Sequence, residues 1–230
     1  GGNEAEYKWK VSTDLEEGDS YTIKVTDSSD TSTSDETDTF AISSLWEKII
    51  NNGKYNDEAN GCIVDNDNDA LYVVGYTVSV TNETKDGMVK KLNSITGEEI
   101  WNMTFSGQTE GPDEALAVDV DDTGEYIYVA GYTTYADNSN TAYTILKINA
   151  ETGEESKRVE WNSPDSNSWE EEVASDIKFY DGKLYVTGSV DSDENKSGKD
   201  WWINALNTDL SSIWSIRYNG SGSFAPYDNS

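Results

Sequence analysis

The chain of 230 residues contains no histidine, one cysteine and two arginines, Arg158 and Arg217. Without an imidazole there is no histidine base for a catalytic triad and no histidine ligand for a metal, and neither a nucleophile motif nor a phosphate loop is present. Catalysis is not expected. The single Cys62 excludes an internal disulfide, so cysteine usage does not report the compartment. It lies in Gly61-Cys62-Ile63-Val64 with nothing basic beside it in sequence, which predicts a buried small hydrophobe and not a reactive thiol. No apolar run is long enough to span a membrane and no signal or lipid motif occurs, so this segment is not expected to insert into a bilayer. Nor does any run show the 3.6-residue spacing of an amphipathic helix. Positive charge is scarce: 16 Lys and Arg stand against 45 Asp and Glu, for a net charge of -29. Nucleic acid and anionic membrane are poor partners for such a surface.

What is present is one strand written three times. Leu71-Tyr72-Val73-Val74-Gly75, Ile127-Tyr128-Val129-Ala130-Gly131 and Leu184-Tyr185-Val186-Thr187-Gly188 place their glycines 56 and then 57 residues apart. The flanks repeat as well. Upstream stand Asp57-Glu58-Ala59, Asp113-Glu114-Ala115 and Glu171-Glu172-Val173; downstream stand Val89 to Asn93, Ile145 to Asn149 and Ile203 to Asn207. A tryptophan closes each unit at Trp101, Trp161 and Trp214, and an unmatched Trp46 stands one period earlier. Each unit thus offers about four short strands separated by Asp, Asn, Gly and Ser turns. The repeated run is apolar at nearly every position, as expected of a strand buried on both faces, and its glycine removes bulk where strands crowd.

Four antiparallel strands in a repeat of this length predict an all-β fold with a β-propeller of four-stranded blades. The expected blades cover residues 58-105, 114-162 and 172-218, with a fourth starting at 219-230. Three blades do not close a ring, so the sequence reads as a fragment of a larger one. Residues 1-45 belong to another module and 46-230 to the propeller. In the first module Trp9-Lys10-Val11, Tyr21 to Thr26 and Phe40-Ala41-Ile42 alternate polar and apolar side chains and read as strands of a partial sandwich around a Ser, Thr and Asp tract. A half-built sheet has an open edge that invites pairing with another chain.

Two resemblances follow from these residues. Tyr7 to Val11, Asp19 to Ser29 and Asp38 to Ile42 resemble the C-terminal half of the Ser/Thr-rich immunoglobulin-like domain of microbial surface proteins. Residues 46 to 230 are similar to the surface-protein propeller repeats of bacteria and archaea called SBBP repeats. Their core appears here as Ala117-Val118-Asp119, Tyr128 to Thr133 and Lys147-Ile148-Asn149. Both resemblances imply an extracellular, multidomain cell-surface, filament or S-layer protein without catalytic residues. Asn93 to Trp101 and Asn149 to Glu155 also resemble the Thr-Gly-x-x-x-Trp turn of quinoprotein propellers. A quinone site needs several cationic or amide groups converging with calcium, and two arginines are a thin supply.

The remaining candidates lie where the repeats differ. Sequons at Asn82, Asn102, Asn195 and Asn219 are candidate glycosylation sites, since loops and outer strands would expose an attached sugar. Asp65, Asp67 and Asp69 alternate oxygen ligands as a calcium loop does, but Ala70 stands where the loop needs glycine and Tyr76 where it needs a bidentate Glu. A solvated hairpin is the competing reading. Trp101 and Trp214 recur at one place in the repeat and are expected to wedge between blades. Trp201 and Trp202 must face opposite sides of one strand. Trp169, in a polar inter-blade loop, is the candidate contact residue. The expected function is non-catalytic surface structure that self-assembles with copies of itself or other surface subunits. The alternative is a glycan- or protein-binding adhesion module on a propeller face.

Overall fold

The computed structural model describes residues 18–21, 24–26, 34–36, 40–42, 56–79, 83–135, 140–162, 171–191, 199–219 and 223–227. Among them there are strands and turns and no helix. The chain divides into two compact units, Gly1–Glu47 and Lys48–Ser230.

In the first unit β1 (Gly18–Tyr21) pairs antiparallel with β4 (Phe40–Ile42), and β2 (Lys24–Thr26) pairs with β3 (Ser34–Glu36). The single strand expected over Tyr21 to Thr26 is therefore two strands, and the Ser, Thr and Asp tract supplies a third. Backbone pairing in a short hairpin does not need the apolar alternation used to locate strands in the sequence. Trp9 to Val11 lie outside the described residues.

The second unit contains three antiparallel sheets in propeller-like arrangement. The first is β5 (Glu58–Asp65), β6 (Ala70–Val78), β7 (Lys85–Asn93) and β8 (Glu99–Phe105) in sequence order. The second is β9 (Glu114–Val120), β10 (Tyr126–Tyr135), β11 (Asn140–Asn149) and β12 (Glu155–Trp161). The third is β13 (Val173–Tyr180), β14 (Lys183–Asp191), β15 (Lys199–Asn207) and β16 (Ser212–Asn219), extended by β17 (Ser223–Tyr227). Residues 223–227, expected to open a fourth blade, instead pair with β16 at the outer edge of the third. Only Gly220-Ser221-Gly222 separates the two strands in sequence, a connection short enough for a hairpin. Pro226 lacks an N–H, which an edge strand tolerates.

First strands stack in series, β5 on β9 and β9 on β13, and β9 and β13 also reach the second and third strands of the preceding sheet. Each sheet thus has a leading face toward the next blade and a trailing face toward the previous one. Leading-face Tyr72, Val74 and Val89 meet trailing-face Val118, Ile127 and Val129 in one core. Tyr128, Ala130 and Ile145 meet Ile177, Leu184 and Val186 in the next. Each fully buried aliphatic side chain contributes roughly 1.5–3 kcal/mol, so these two seams dominate the unit's stability. The middle blade shows the two-sided burial expected of the repeated strand: Ile127, Tyr128, Val129 and Ala130 are all buried.

Strand pairing corrects two sequence expectations. Trp101 pairs with Lys91 and Trp214 with Ala205, equivalent places, but Trp161 pairs with Tyr143, four residues further along its strand. Its structural equivalents are Phe105 and Tyr218, and the place of Trp101 is taken in the second blade by Lys157. Cys62 is exposed, not buried. Its position matches the buried Val118 and Ile177, so the sequence pattern was that of a core residue. No blade packs on this part of the trailing face of the first sheet among the described residues.

The glycine of each repeated strand faces a bulge in the first strand of its sheet. Register shifts fall between Ala59 and Gly61 opposite Gly75, beside Gly131, and between Ala174 and Asp176 opposite Gly188. A Cβ on Gly131 would stand 2.0 Å from the Glu114 carbonyl oxygen, and one on Gly75 1.8 Å from that of Glu58. Backbone would have to move. We expect Gly131→Ala to destabilise the unit by about 2–3 kcal/mol. Gly182→Ala, in an open turn at φ 71°, should cost only about 1 kcal/mol of left-handed strain. Chemical denaturation of both variants measures the contrast, and equal losses would contradict the role given to the bulge.

Candidate functional site

The polar and aromatic side chains of the repeat converge on the seams between blades. Glu114 is one junction. Its carboxylate accepts from Asn60 Nδ2 at 2.8 Å, from Tyr132 Oη at 2.6 Å and from Lys85 Nζ at 3.3 Å, so it ties β5 and β7 of the first blade to β10 of the second. Asp119 is another. Its Oδ1 accepts from Val120 N at 3.0 Å while Oδ2 accepts from Phe179 N at 2.8 Å across the next seam. Farther out, Trp101 Nε1 and Lys91 Nζ both donate to Ala150 O, at 3.1 and 3.0 Å, in the turn after β11. Gly153, at φ 74°, lies beneath the Trp101 ring, where a Cβ would come within 2.8 Å.

The following seam solves the same problem with different residues. Tyr128 Oη donates to Thr208 O at 3.4 Å, the carbonyl equivalent to that of Ala150, and Lys157 Nζ donates to Asp209 O. Tyr72, the counterpart of Tyr128, has a buried hydroxyl without a hydrogen-bond partner among the described residues. The carbonyl it would reach already accepts from Trp101 and Lys91. Burial, with Asp65 and Asp121 adding negative charge, pushes the Tyr72 hydroxyl up to about 12.

An acid precedes each first strand, half-buried in the first blade and buried in the other two. Asp57 Oδ1 accepts from Thr77 Oγ1 at 2.7 Å, Asp113 Oδ1 accepts from Thr134 N at 2.6 Å, and Glu172 is fully buried. Strand register makes Glu172, not Glu171, the equivalent of Asp113, one residue from the sequence alignment, because the turn joining β13 to β14 is two residues shorter than that joining β9 to β10 while the bulge keeps its place. Burial pushes the Asp113 carboxyl up to about 6, against the pull of the Thr134 and Gly107 amides, with Asp86 adding to the rise and Arg158 opposing it. Burial also raises Asp86. Asp86 and Asp113 line a cavity of about 300 Å³ with Gly107, Gln108 and Thr109.

The sites expected from sequence are not brought together. Asp65 caps its own turn, accepting from Asp67 N at 3.2 Å and from Asn68 Nδ2 at 2.8 Å, and Asp69 sits in the left-handed region at φ 48°. This turn faces the equivalent Asp121–Gly124 turn across a cleft of about 340 Å³. Among the described residues no three His, Cys, Asp or Glu side chains are grouped to hold a metal ion. Asn102 is exposed on β8 and Asn219 ends β16, while Asn82, Asn195 and Trp169 lie outside the described residues. The arginines are on different blades. Arg158 pairs with Glu155 and Glu160 and donates to Ser106 O, and Arg217 pairs with Asp200 at 3.2 Å.

Trp201 and Trp202 face opposite sides as their strand requires. Trp202 is inserted in the seam, 4.3 Å from the Trp161 ring and 4.9 Å from that of Tyr143, whereas Trp201 is 69% exposed. The Trp201 side of the third blade holds an apolar cavity of about 440 Å³ lined by Thr187, Gly188, Trp201 and Ile203 among others. Sequence reasoning named Asp113, Glu114 and Asp119 as parts of the repeat without a role at a seam, and passed over Lys157. The repeat places three of these in register, but only the fold shows which blade each side chain reaches.

No protein-family model and no curated protein matches the chain. Among solved structures it is similar to the quinohemoprotein alcohol dehydrogenase ADHIIG of Pseudomonas putida HK5, at 12% identity and a TM-score of 0.44, over 64% of this chain and 25% of that one. The chain thus matches about a quarter of that protein's length. No helix among the described residues is long and apolar enough to cross a membrane.

Asp113 gives a pH signature. Its folded value lies above the ordinary carboxylate value of 3.8, so its contribution favours the folded state at low pH and is lost as pH rises through about 6. Between pH 5 and 7.5 the loss should be about 1–2 kcal/mol. Asp113→Asn keeps the acceptor for Thr134 N and removes the charge, so stability measured by denaturation should change less over this range in the variant. An identical pH dependence in both proteins would rule the assignment out.

Proposed function

We propose that the chain is a non-catalytic structural segment of an extracellular cell-surface or filament protein. One observation carries the reading: the side chains best suited to chemistry, Glu114, Asp119, Trp101 and Lys157, are each spent on fastening one blade to the next. In this reading the three sheets are blades of the SBBP type and residues 1-45 are an immunoglobulin-like module whose open edge pairs with a neighbouring subunit. The anionic surface keeps the assembly soluble, and sugars attached at exposed sequons such as Asn102 are compatible with it.

A second reading is favoured by the exposed Trp201: a glycan or protein ligand could be held on the face of the third blade, since aromatic rings stack on the apolar faces of sugars. Binding on a glycan array that disappears in Trp201→Ala would select it. For the structural reading, electron microscopy of native material should show a filament or lattice, with residues 7-42 of one subunit against another. Free single particles, or contacts of those residues within their own chain only, would overturn it.

A further inference from the structure

One carboxylate in the first blade holds an amine and an amide at once. Lys90, on β7, is directly opposite Asn102, on β8. Glu99 Oε2 accepts from Lys90 Nζ at 2.7 Å, and Glu99 Oε1 accepts from Asn102 Nδ2. A carboxylate only accepts, so the Asn102 amide must present its nitrogen to Glu99 and not its oxygen. Glu99 and Asn102 are three residues apart and would face opposite sides of an unbroken strand. The strand is broken at Ile100: Trp101 pairs with Lys91 and Glu99 already pairs with Leu92, so the bulge turns Glu99 onto the face shared by Lys90 and Asn102. The trio is confined to this blade. By register the second blade has Leu146, Arg158 and Glu155 at the same three places, and the third has Asn204, Ser215 and Ser212. In the second blade the acid makes an ordinary ion pair, Glu155 with Arg158 at 2.7 Å. What the first blade adds is an amide carbon beside a lysine amine. Lys90 is 9% exposed, so its amine meets Glu99 with little competing water, whereas Asn102 is exposed and a small leaving group departs from it directly into solvent.

We infer that Lys90 and Asn102 become joined by an amide bond, with Glu99 as the proton carrier. The Lys90 ammonium gives one proton to Glu99, and the freed Nζ lone pair attacks Asn102 Cγ. The Nζ–Cγ bond forms and the Cγ–Nδ2 bond breaks as Glu99 hands its proton to the departing nitrogen. Glu99 then takes the second proton from Nζ, and ammonia leaves with it as ammonium. One positive charge enters and one leaves, and no oxidant, cofactor or outside base takes part. Holding both reacting groups on facing strands, against the two oxygens of one carboxylate, supplies the proximity that makes attack on an amide feasible. The product ties β8, the outermost strand of the first blade, covalently to β7 at the point where the chain is about to leave for the second blade. Such a staple suits a structural segment that bears load, but the chemistry does not depend on that function. A sugar on the Asn102 sequon would need the same Nδ2, so the cross-link and glycosylation at Asn102 exclude one another.

The test is the intact mass of the 230-residue chain, made in a host that does not glycosylate and read under denaturing conditions, followed by tandem mass spectrometry of its tryptic digest. We expect the major species to be lighter than the polypeptide by one ammonia, and the digest to contain a branched peptide joining Lys90 to Asn102. Lys90→Arg, which keeps the ion pair with Glu99, should restore the full polypeptide mass, as should Glu99→Gln and Asn102→Ala. Circular dichroism of Lys90→Arg should match that of the parent chain, which separates loss of the bond from loss of the fold. Ring closure at an Asn-Gly pair such as Asn60-Gly61 sheds the same mass but yields no branched peptide. The full polypeptide mass in the parent chain, a deficit mapped anywhere other than Lys90 and Asn102, or a deficit that survives in Lys90→Arg overturns the inference. A sugar on Asn102 of native material overturns it too. None of these outcomes decides whether the protein forms a filament or lattice, so the cross-link and the structural reading stand or fall separately.

Discussion

The second unit depends on one steric fact repeated three times: a glycine in the second strand of each sheet lies against the backbone of a bulge in the first. The extra residue in the bulge bends that strand and increases its twist. Without a Cβ opposite, the bulged carbonyl can come within a distance that any other residue would forbid. The first strand is thereby brought against its counterpart in the neighbouring sheet, β5 on β9 and β9 on β13. Everything at the seams, from the aliphatic cores to the turn carbonyls met by Trp101 and Lys157, follows from that approach.

The seams divide their work by magnitude. Apolar burial supplies most of the stabilisation, while each cross-seam hydrogen bond adds a net contribution on the order of 1 kcal/mol. The hydrogen bonds matter more for geometry. Asp119 takes the backbone amide of Phe179, and the Trp101 and Lys91 donors share the carbonyl of Ala150, so each fixes how far one sheet is rotated against the next. The two seams reach this with different side chains: Trp101 and Lys91 share the Ala150 carbonyl at 3.1 and 3.0 Å, whereas Tyr128 meets that of Thr208 at 3.4 Å and Lys157 that of Asp209.

Much of the blade architecture was legible in the sequence, because a strand buried on both faces must be written as a continuous apolar run ending where the chain turns or crowds. The runs at Leu71, Ile127 and Leu184 met that condition, and the opposite facing of Trp201 and Trp202 followed from strand alternation alone. Other features were hidden for physical reasons. Trp161 satisfied the eye as a repeat of Trp101, yet a four-residue offset on a strand places it at another depth of the blade. Cys62 had the sequence surroundings of a core residue, yet it is exposed where its counterparts Val118 and Ile177 are buried in seams. Glu172 was displaced by one residue because the third blade's first turn is two residues shorter, which changes the spacing to the repeated strand without changing the composition of the flank. Asp113 and Glu114 recurred with the flanks of the repeat, but nothing local showed which of the 45 acidic side chains reach into a seam.

The connection between the first two blades runs from the outermost strand β8 to the innermost strand β9, and it is anchored to both blades. Gln108 N donates to Thr134 O at 3.1 Å, Asp113 N to Lys85 O at 2.9 Å, and Arg158 reaches Ser106 O at 2.8 Å. In mechanical terms this is a strapped hinge. Tension carried along the polypeptide would not reach β9 directly, since it is divided between two sheets before the covalent link is straightened. A load that would otherwise peel an outer strand away one hydrogen bond at a time is turned into shear across a packed seam, where many contacts resist together.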